Sequence, residues 1–319
     1  MCLLIAGVLW WEPQAPARED SLLVMFWNLE NFFDWKADTL RTNPSEMEFS
    51  SFGSRRWTRR KFLYKCDLVA KAVLWVADRR GSLPDIIGVA EVENRFVLEK
   101  LLSETVLRRK DYAIIHYDSA DPRGIDVALL YRKSRLKPVV SDPKKVYSKD
   151  GVPLGSRDIL FAGFLKPRGD SVAFLVNHHP SKYGSNSSWR REAALARLGE
   201  ITDSLRVCGW KDIVAMGDFN DTPSSTVEYS RNMSNLAAPL ARKGLGTIKY
   251  SGKWEMIDMF FVSPGIAGRA PGISMNVERI PFLMVWDNTH SGEKPLRTYS
   301  GPRYLGGVSD HCPITLVIK

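Results

Sequence analysis

Several polar residues of this chain end, interrupt or closely flank strand-like apolar runs, which is where side chains from distant segments can meet. Asn28 and Glu30 close Leu22–Trp27, and Glu91 follows Ile86–Ala90. His178 follows Val172–Asn177, Asp218 and Asn220 follow Ile213–Met216, and Asp310-His311 precedes Pro313–Ile318. Asp258 interrupts Met256–Val262, where Met, Ile and Phe flank it. A carboxylate in that setting must be hydrogen-bonded or paired if buried, because an uncompensated buried charge is very costly. One acidic strand end means little, since such residues are common at turns. A set spread over six runs of one chain is enough to build a site.

The residue types define the chemistry such a site would do. Carboxylate oxygens and an Asn carbonyl suit a hard cation, Mg2+ or Mn2+. Such an ion neutralises phosphate oxygens and activates water or eases loss of the leaving oxygen. A carboxylate beside a histidine fixes the ring tautomer and stabilises the protonated ring. Basic side chains hold phosphate and the charge that develops on it. Arg123, before Gly124, and Lys182, in Pro180-Ser181-Lys182, are candidates for that role. Together these groups would meet the needs of a phosphodiester or phosphomonoester substrate.

The elements that must position these groups are legible as patterns. Further strand-like runs are Tyr112–Tyr117, Ile125–Tyr131 and Ile159–Leu165, rich in Val, Ile, Phe and Tyr and bounded by turn residues. Phe62, Cys66, Val69, Val73 and Val76 repeat with helical period behind Thr58, a capping residue. Ala194, Leu198, Ile201 and Leu205 repeat likewise, and a shorter helix is expected from Asn94 to Ser103. Lys137–Arg157 and Ser263–Gly307, rich in Pro, Gly and charge, read as surface loops. Hairpins mixed with covering helices predict an α/β (α+β) fold of two mainly antiparallel sheets packed face to face, helices outside. Residues 21–319 are expected to form one domain.

In chain order, Trp-Asn-Leu-Glu, Val-Ala-Glu-Val, Arg-Gly-Ile-Asp-Val-Ala-Leu-Leu-Tyr, Asn-His-His-Pro-Ser-Lys, Gly-Asp-Phe-Asn-Asp, Ile-Asp-Met-Phe-Phe and Ser-Asp-His resemble the endonuclease/exonuclease/phosphatase superfamily, of deoxyribonuclease I type. The match runs from about Val24 to Val317, and the closest likeness is to bacterial extracellular-nuclease-like members. The resemblance implies a four-layered α/β sandwich and a set of roles. Asn28 and Glu91 would hold the metal, with Glu30 behind them or at a second position. Asp310 would touch the metal through water or orient His311, and His311 would act as general base or bind the scissile phosphate. Asp218 and Asn220 would position the attacking water and a phosphate oxygen. His178 would bind phosphate or protonate the leaving oxygen, with Asp258 orienting it. Its neighbour His179 reads as a packed or exposed bystander.

The net charge of +9 favours an anionic partner, and nucleic acid is the expected substrate. Trp57, Tyr183 and Trp189 are candidate stacking residues for bases. A phosphatase or lipid phosphodiesterase is the alternative, with Ile280–Trp286 as a candidate membrane-facing loop, and a non-catalytic binding protein on the same fold comes third. The four cysteines, Cys2, Cys66, Cys208 and Cys312, have no zinc spacing and read as buried thiols. Residues 1–20 combine a short apolar run with Ala15-Pro16-Ala17, like a secretory signal lacking its basic start. A secreted or periplasmic address is expected if that segment is a truncated signal, a cytoplasmic one otherwise. No segment has transmembrane length, and a monomer is expected.

Overall fold

The computed structural model describes residues 21–36, 44–182, 188–226, 229, 232–270 and 272–319. The signal-like segment, Cys2 and Tyr183 lie outside them. In chain order the elements begin with β1 (Leu22–Phe32), α1 (Pro44–Glu48), α2 (Arg59–Arg80), β2 (Ile86–Val92), α3 (Arg95–Glu104), β3 (Tyr112–His116) and β4 (Asp126–Arg132). There follow β5 (Lys137–Lys144), β6 (Ile159–Leu165), β7 (Ser171–His178), α4 (Ser188–Val207), β8 (Ile213–Asp218), β9 (Ser234–Asn235) and α5 (Ala238–Arg242). The chain continues with β10 (Ile248–Tyr250), β11 (Lys253–Glu255), β12 (Asp258–Val262), α6 (Pro264–Arg269) and β13 (Met275–Val277). It closes with β14 (Met284–Trp286), β15 (Glu293–Pro295), β16 (Tyr299–Ser300), β17 (Arg303–Tyr304) and β18 (Ile314–Ile318).

Two six-stranded sheets dominate, ordered β13-β18-β1-β2-β4-β3 and β5-β6-β7-β8-β12-β9. Each has one parallel pair at its centre, β1 with β2 and β7 with β8; the other pairings within them are antiparallel. Strand alternation assigns the layers. Leu22, Val24 and Phe26 enter the core shared with Phe164 and Phe174 of the second sheet. Leu23, Met25 and Trp27 enter the core formed with Phe62, Cys66, Val69, Val73 and Val76 of α2. Helix α4 adds Ala194, Leu198, Ile201 and Leu205 to the second sheet's core. The expected α/β sandwich is therefore present.

Local chemistry sets the helix ends. Thr58 Oγ1 accepts from the Lys61 amide at 3.4 Å, and Gly81, at φ 78°, ends α2 in the left-handed region. Asn94 caps α3 by accepting from the Val97 amide at 3.1 Å.

Some expectations need correction. Lys137–Lys144 is not loop but the edge strand β5, whose Pro138 and Pro143 mask its strand character in the sequence. Proline and charge on an edge strand block pairing with another chain, so they mark edges as well as loops. Ser263–Gly307 contains α6, β13 and the ribbons β14–β15 and β16–β17. Cys66 and Cys312 are buried thiols, but Cys208, just past α4, is exposed. Trp57 is fully buried and its indole donates to Phe33 O at 2.8 Å, so it stacks on no base. Within Ile280–Trp286, Ile280 and Leu283 are buried while Phe282, Val285 and Trp286 are exposed.

In the parallel pair β7–β8, Gly217 lies opposite Asn177. A Cβ there would lie 2.3 Å from the Asn177 carbonyl oxygen, so any side chain forces the two strands apart. Gly217→Ala should lower unfolding free energy by about 1–3 kcal/mol, the usual cost of overpacking. Urea denaturation measures this, and an unchanged midpoint would refute the close-approach argument.

Candidate active site

Strand register places the core of the site. His178 pairs with Asp218 across β7–β8, and Asp218 pairs with Asp258 across β8–β12, giving one row of three residues over the second sheet. In the first sheet Asn28 pairs with Ala90, so Asn28 and Glu91 leave the same end of the parallel pair β1–β2. The segment before β18 brings in Asp310 and His311. It is held by Ser309 Oγ donating to Asn28 O at 2.6 Å and by the Trp27 indole donating to His311 O at 2.9 Å. The two parallel pairs thus direct their carboxyl ends at one rim, the end at which open α/β sheets collect ligand-binding groups.

Asn28 bridges the two sheets. Its side-chain NH2 donates to Asp218 Oδ2 at 3.0 Å and to Glu91 Oε1 at 3.4 Å, while its Oδ1 accepts from the Glu30 amide at 2.9 Å. The carbonyl oxygen expected to face a cation accepts one hydrogen bond here, from the Glu30 amide, and keeps its second lone pair. Asn28 acts here by aligning two carboxylates. Glu91 also accepts from the Asn31 amide at 2.8 Å and from Arg123 Nη2 at 3.4 Å. Burial alone would raise the Glu91 pKa, but Arg123 and these hydrogen bonds outweigh it and hold the group below its ordinary value.

The two histidines differ. His311 Nδ1 lies 2.8 Å from Asp258 Oδ2, and its Nε2 faces Asp218 Oδ2 and Asp310 Oδ1, each 3.8 Å away. Burial opposes its charge, but Asp258 and Asp218 hold its pKa well above the ordinary value. His178 Nε2 stands 3.8 Å from Glu91 Oε1 and 3.7 Å from Asp218 Oδ2. Burial, reinforced by Arg157 and Arg123, keeps its pKa well below the ordinary value. Asp258 was expected beside His178 and instead serves His311. The β8–β12 pairing places it across from Asp218, a relation that no sequence interval carries.

Asp218 is pushed up to about 7 by burial, with Asp258 adding to the effect and His311 opposing it. Its Oδ1 accepts from the Asn220 amide at 2.8 Å. Asn220 Nδ2 donates to His179 O at 3.0 Å, so Asn220 ties the ends of β7 and β8 together. Glu30 is engaged by Arg297 Nε at 2.8 Å and the Thr298 amide at 3.1 Å. Burial and then Asp310 raise its pKa to about 7. Arg297 reaches on to Asp310 Oδ2 at 3.2 Å. Lys182 is paired with Glu255 at 3.1 Å.

Arg297, Lys65 and Arg157 escaped the sequence reading. Lys65 is buried and donates to Glu30 O at 2.6 Å. Its signal was available, since a lysine three residues after Phe62 falls on the buried stripe of α2. Arg157 binds His178 O, His179 O and Asp121, fixing the end of β7. Nothing local marks Arg297 or Arg157, whose partners come from remote segments.

The donor set fits a hard divalent cation. Glu91, Asp218 and Asp310 crowd oxygens around the rim, and Asp258 Oδ1 is buried without a hydrogen bond among the described residues. Asp218, Asp258 and His311 place one ligand atom each within 4.8 Å of one another. A cation held by Glu91, with Asp310 and Asp218 at its margins, would relieve that mutual repulsion.

His179 packs edge-on to Phe219 at 4.8 Å, away from this chemistry. Burial and then Arg157 lower its pKa from 6.5 to about 3. It stays neutral in the fold while the unfolded chain takes up a proton, so its contribution is complete above pH 6.5 and is lost as pH falls toward 3. His179→Phe should flatten the fall of stability in that window by up to about 1.4 kcal/mol per pH unit. Denaturation at several pH values checks this; parallel slopes for the two proteins would contradict it.

Solved structures of known proteins share this fold. The chain resembles TDP2 of D. rerio complexed with a single-strand DNA product (14% identity, 94% of this chain and 99% of that one, TM-score 0.56). It also resembles the human Nocturnin catalytic domain with bound sulfate (17% identity, 96% of each chain, TM-score 0.57). A third likeness is to the mannosyl-6-phosphatase Bt3783 of Bacteroides thetaiotaomicron (16% identity, 93% and 99%, TM-score 0.57). At these identities the likeness speaks for the fold; no curated protein matches the chain. A family model covers residues 23–319, nearly every strand and all the groups gathered at the rim, and by it the chain belongs to the endonuclease/exonuclease/phosphatase family.

Proposed function

We propose that the chain is a divalent-metal-dependent phosphoesterase and that its substrate is a phosphodiester in nucleic acid. The observation that carries the hydrolytic reading is the convergence of Glu91, Asp218, Asp258, His178 and His311 within hydrogen-bond or ion-pair reach of one another. When bound, Mg2+ or Mn2+ would draw charge from the phosphate and ease departure of the leaving oxygen. Glu91 would hold it, with Asp310 beside it. Asp218, whose carboxylate is made more basic by burial with a pKa of about 7, is suited to take a proton from the attacking water. Protonated by its pairing with Asp258, His311 would hold a phosphate oxygen through Nε2–H. Neutral His178 would hydrogen-bond a second oxygen, and Arg123 would steady both Glu91 and the bound phosphate.

Charge favours nucleic acid over small esters. A pocket lined by Asn31, Arg55, Arg297 and Tyr299 adjoins Glu30, and a second, more open cleft is lined by Arg59, Arg60, Lys61 and Tyr64. Lys61 Nζ joins them through the Tyr299 hydroxyl at 3.3 Å. A polyanion could follow that basic path away from the rim. The TDP2 relative, described with a single-strand DNA product, supports this reading. The exposed Phe282, Val285 and Trp286 favour a second one, a lipid phosphodiesterase.

With Mg2+ or Mn2+ present, activity against single- and double-stranded DNA, RNA, sphingomyelin, inositol phosphates, sugar phosphates and a bis-aryl phosphate diester discriminates these readings. Cleavage of DNA or RNA is expected; turnover confined to lipid or to phosphomonoesters would replace nucleic acid as substrate. Glu91→Gln and His311→Ala should each lower kcat at least about a hundredfold with the fold retained. Activity that survives chelation, or a near-normal rate in either variant, would reject the mechanism. Asp258→Asn should lower kcat and move the alkaline limb of the pH–rate profile to lower pH, because the carboxylate that most favours the His311 charge is gone.

A further inference from the structure

A separate group of ligand-type side chains lies where β3 ends and β4 begins. His116 closes β3, Asp126 opens β4, and Asp118 lies in the connection between them. One ligand atom of each lies within 4.8 Å of the others. The imidazole of His116 is only 3% exposed, and among the described residues its Nε2 has no hydrogen-bond partner. Asp126 Oδ2 stands 3.3 Å from that nitrogen. The other oxygen of Asp126 is fixed by the Ser119 amide at 2.9 Å and the Ser119 hydroxyl at 2.5 Å, so the carboxylate is held with Oδ2 toward the ring. Asp118 is exposed and leaves the third side open to solvent.

We propose that His116, Asp118 and Asp126 form a second metal site, distinct from the catalytic rim, that takes a first-row transition ion of the Zn2+ class. One imidazole nitrogen with two carboxylate oxygens suits such an ion, whereas a hard ion such as Mg2+ favours all-oxygen ligation. Solvent on the Asp118 side supplies the remaining coordination. The buried Nε2, without a hydrogen bond among the described residues, gains a ligand bond.

The site joins both ends of the β3–β4 connection, residues 117–125. That connection carries Asp121, which binds Arg157, and Arg123, which reaches Asn31 and Glu91. A bound ion would clamp this loop and so hold Arg123 in place, a structural role that is independent of the substrate.

Zn2+ titration of chelator-stripped protein in excess Mg2+, followed by calorimetry, tests the site. At the rim, His311 with Asp218 and Asp258 also places ligand atoms together, so the titration is run in His311→Ala as well as in the native chain. His311→Ala should keep one Zn2+ per chain, with a Zn2+-dependent rise in Tm. His311→Ala combined with His116→Gln or Asp118→Asn should lose at least about 10–100-fold in affinity, since even outer-shell partners are worth that much. Asp118, being exposed, can be changed without opening the core, and circular dichroism verifies the fold of each variant. Zn2+ binding unaltered by both substitutions would put the ion elsewhere. Absence of tight Zn2+ binding in His311→Ala would reduce His116–Asp126 to an ion pair and overturn the site. Neither result bears on whether the native protein hydrolyses phosphate esters.

Discussion

Glu30, Glu91, Asp218, Asp258 and Asp310 are brought together at one end of the sandwich, four of them side chains no more than 12% exposed. Collecting that many acids in a poorly hydrated place is unfavourable unless cations and hydrogen-bond donors are collected with them. Lys65 beneath Glu30, Arg297 between Glu30 and Asp310, Arg123 against Glu91 and His311 against Asp258 supply that compensation. The compensation is incomplete at Asp218, whose pKa burial raises to about 7, and one more positive charge beside it would favour its carboxylate. Reactivity and stability thus oppose each other at the same few atoms.

Backbone geometry near the rim bears this out. Glu30, Asn31, Glu91 and Asn220 all take positive φ, between 47° and 60°, a conformation that side chains with a Cβ adopt at a cost. Left-handed residues at the ends of β1, β2 and β8 break the strand alternation at the points where functional side chains must turn toward the cleft. The Asn31 and Asn220 amides freed by these turns donate to Glu91 and Asp218. The strain is local, and the hydrogen bonds it permits hold the carboxylates in place.

How far the sequence could be read depends on the range of the interaction. Strand ends and helix stripes are local patterns, so Glu91, Asp218 and the face of α2 stood out from the chain alone. Partner choice is not local. Asp258 was assigned to His178, but the antiparallel pairing of β8 with β12 delivers it to His311, 53 residues away. Arg297 meets Glu30 across 267 residues and lies in an irregular stretch with no periodicity to mark it. The β5 edge was misread because proline and charge signal both an exposed strand and a turn, and only its pairing with β6 distinguishes the two.

The row formed by His178, Asp218 and Asp258 lies on neighbouring strands in fixed register. Sliding one of those strands by a single residue would turn its member of the row to the opposite face, so insertions and deletions within them are forbidden. Stretches of the connections that touch none of the row, such as residues 148–153 between β5 and β6, can lengthen, shorten or change composition while the reactive atoms stay where they are, whereas Arg157 at the end of that connection holds the carbonyls of His178 and His179. A scaffold divided this way can acquire new substrates through its loops during descent and keep one chemistry throughout.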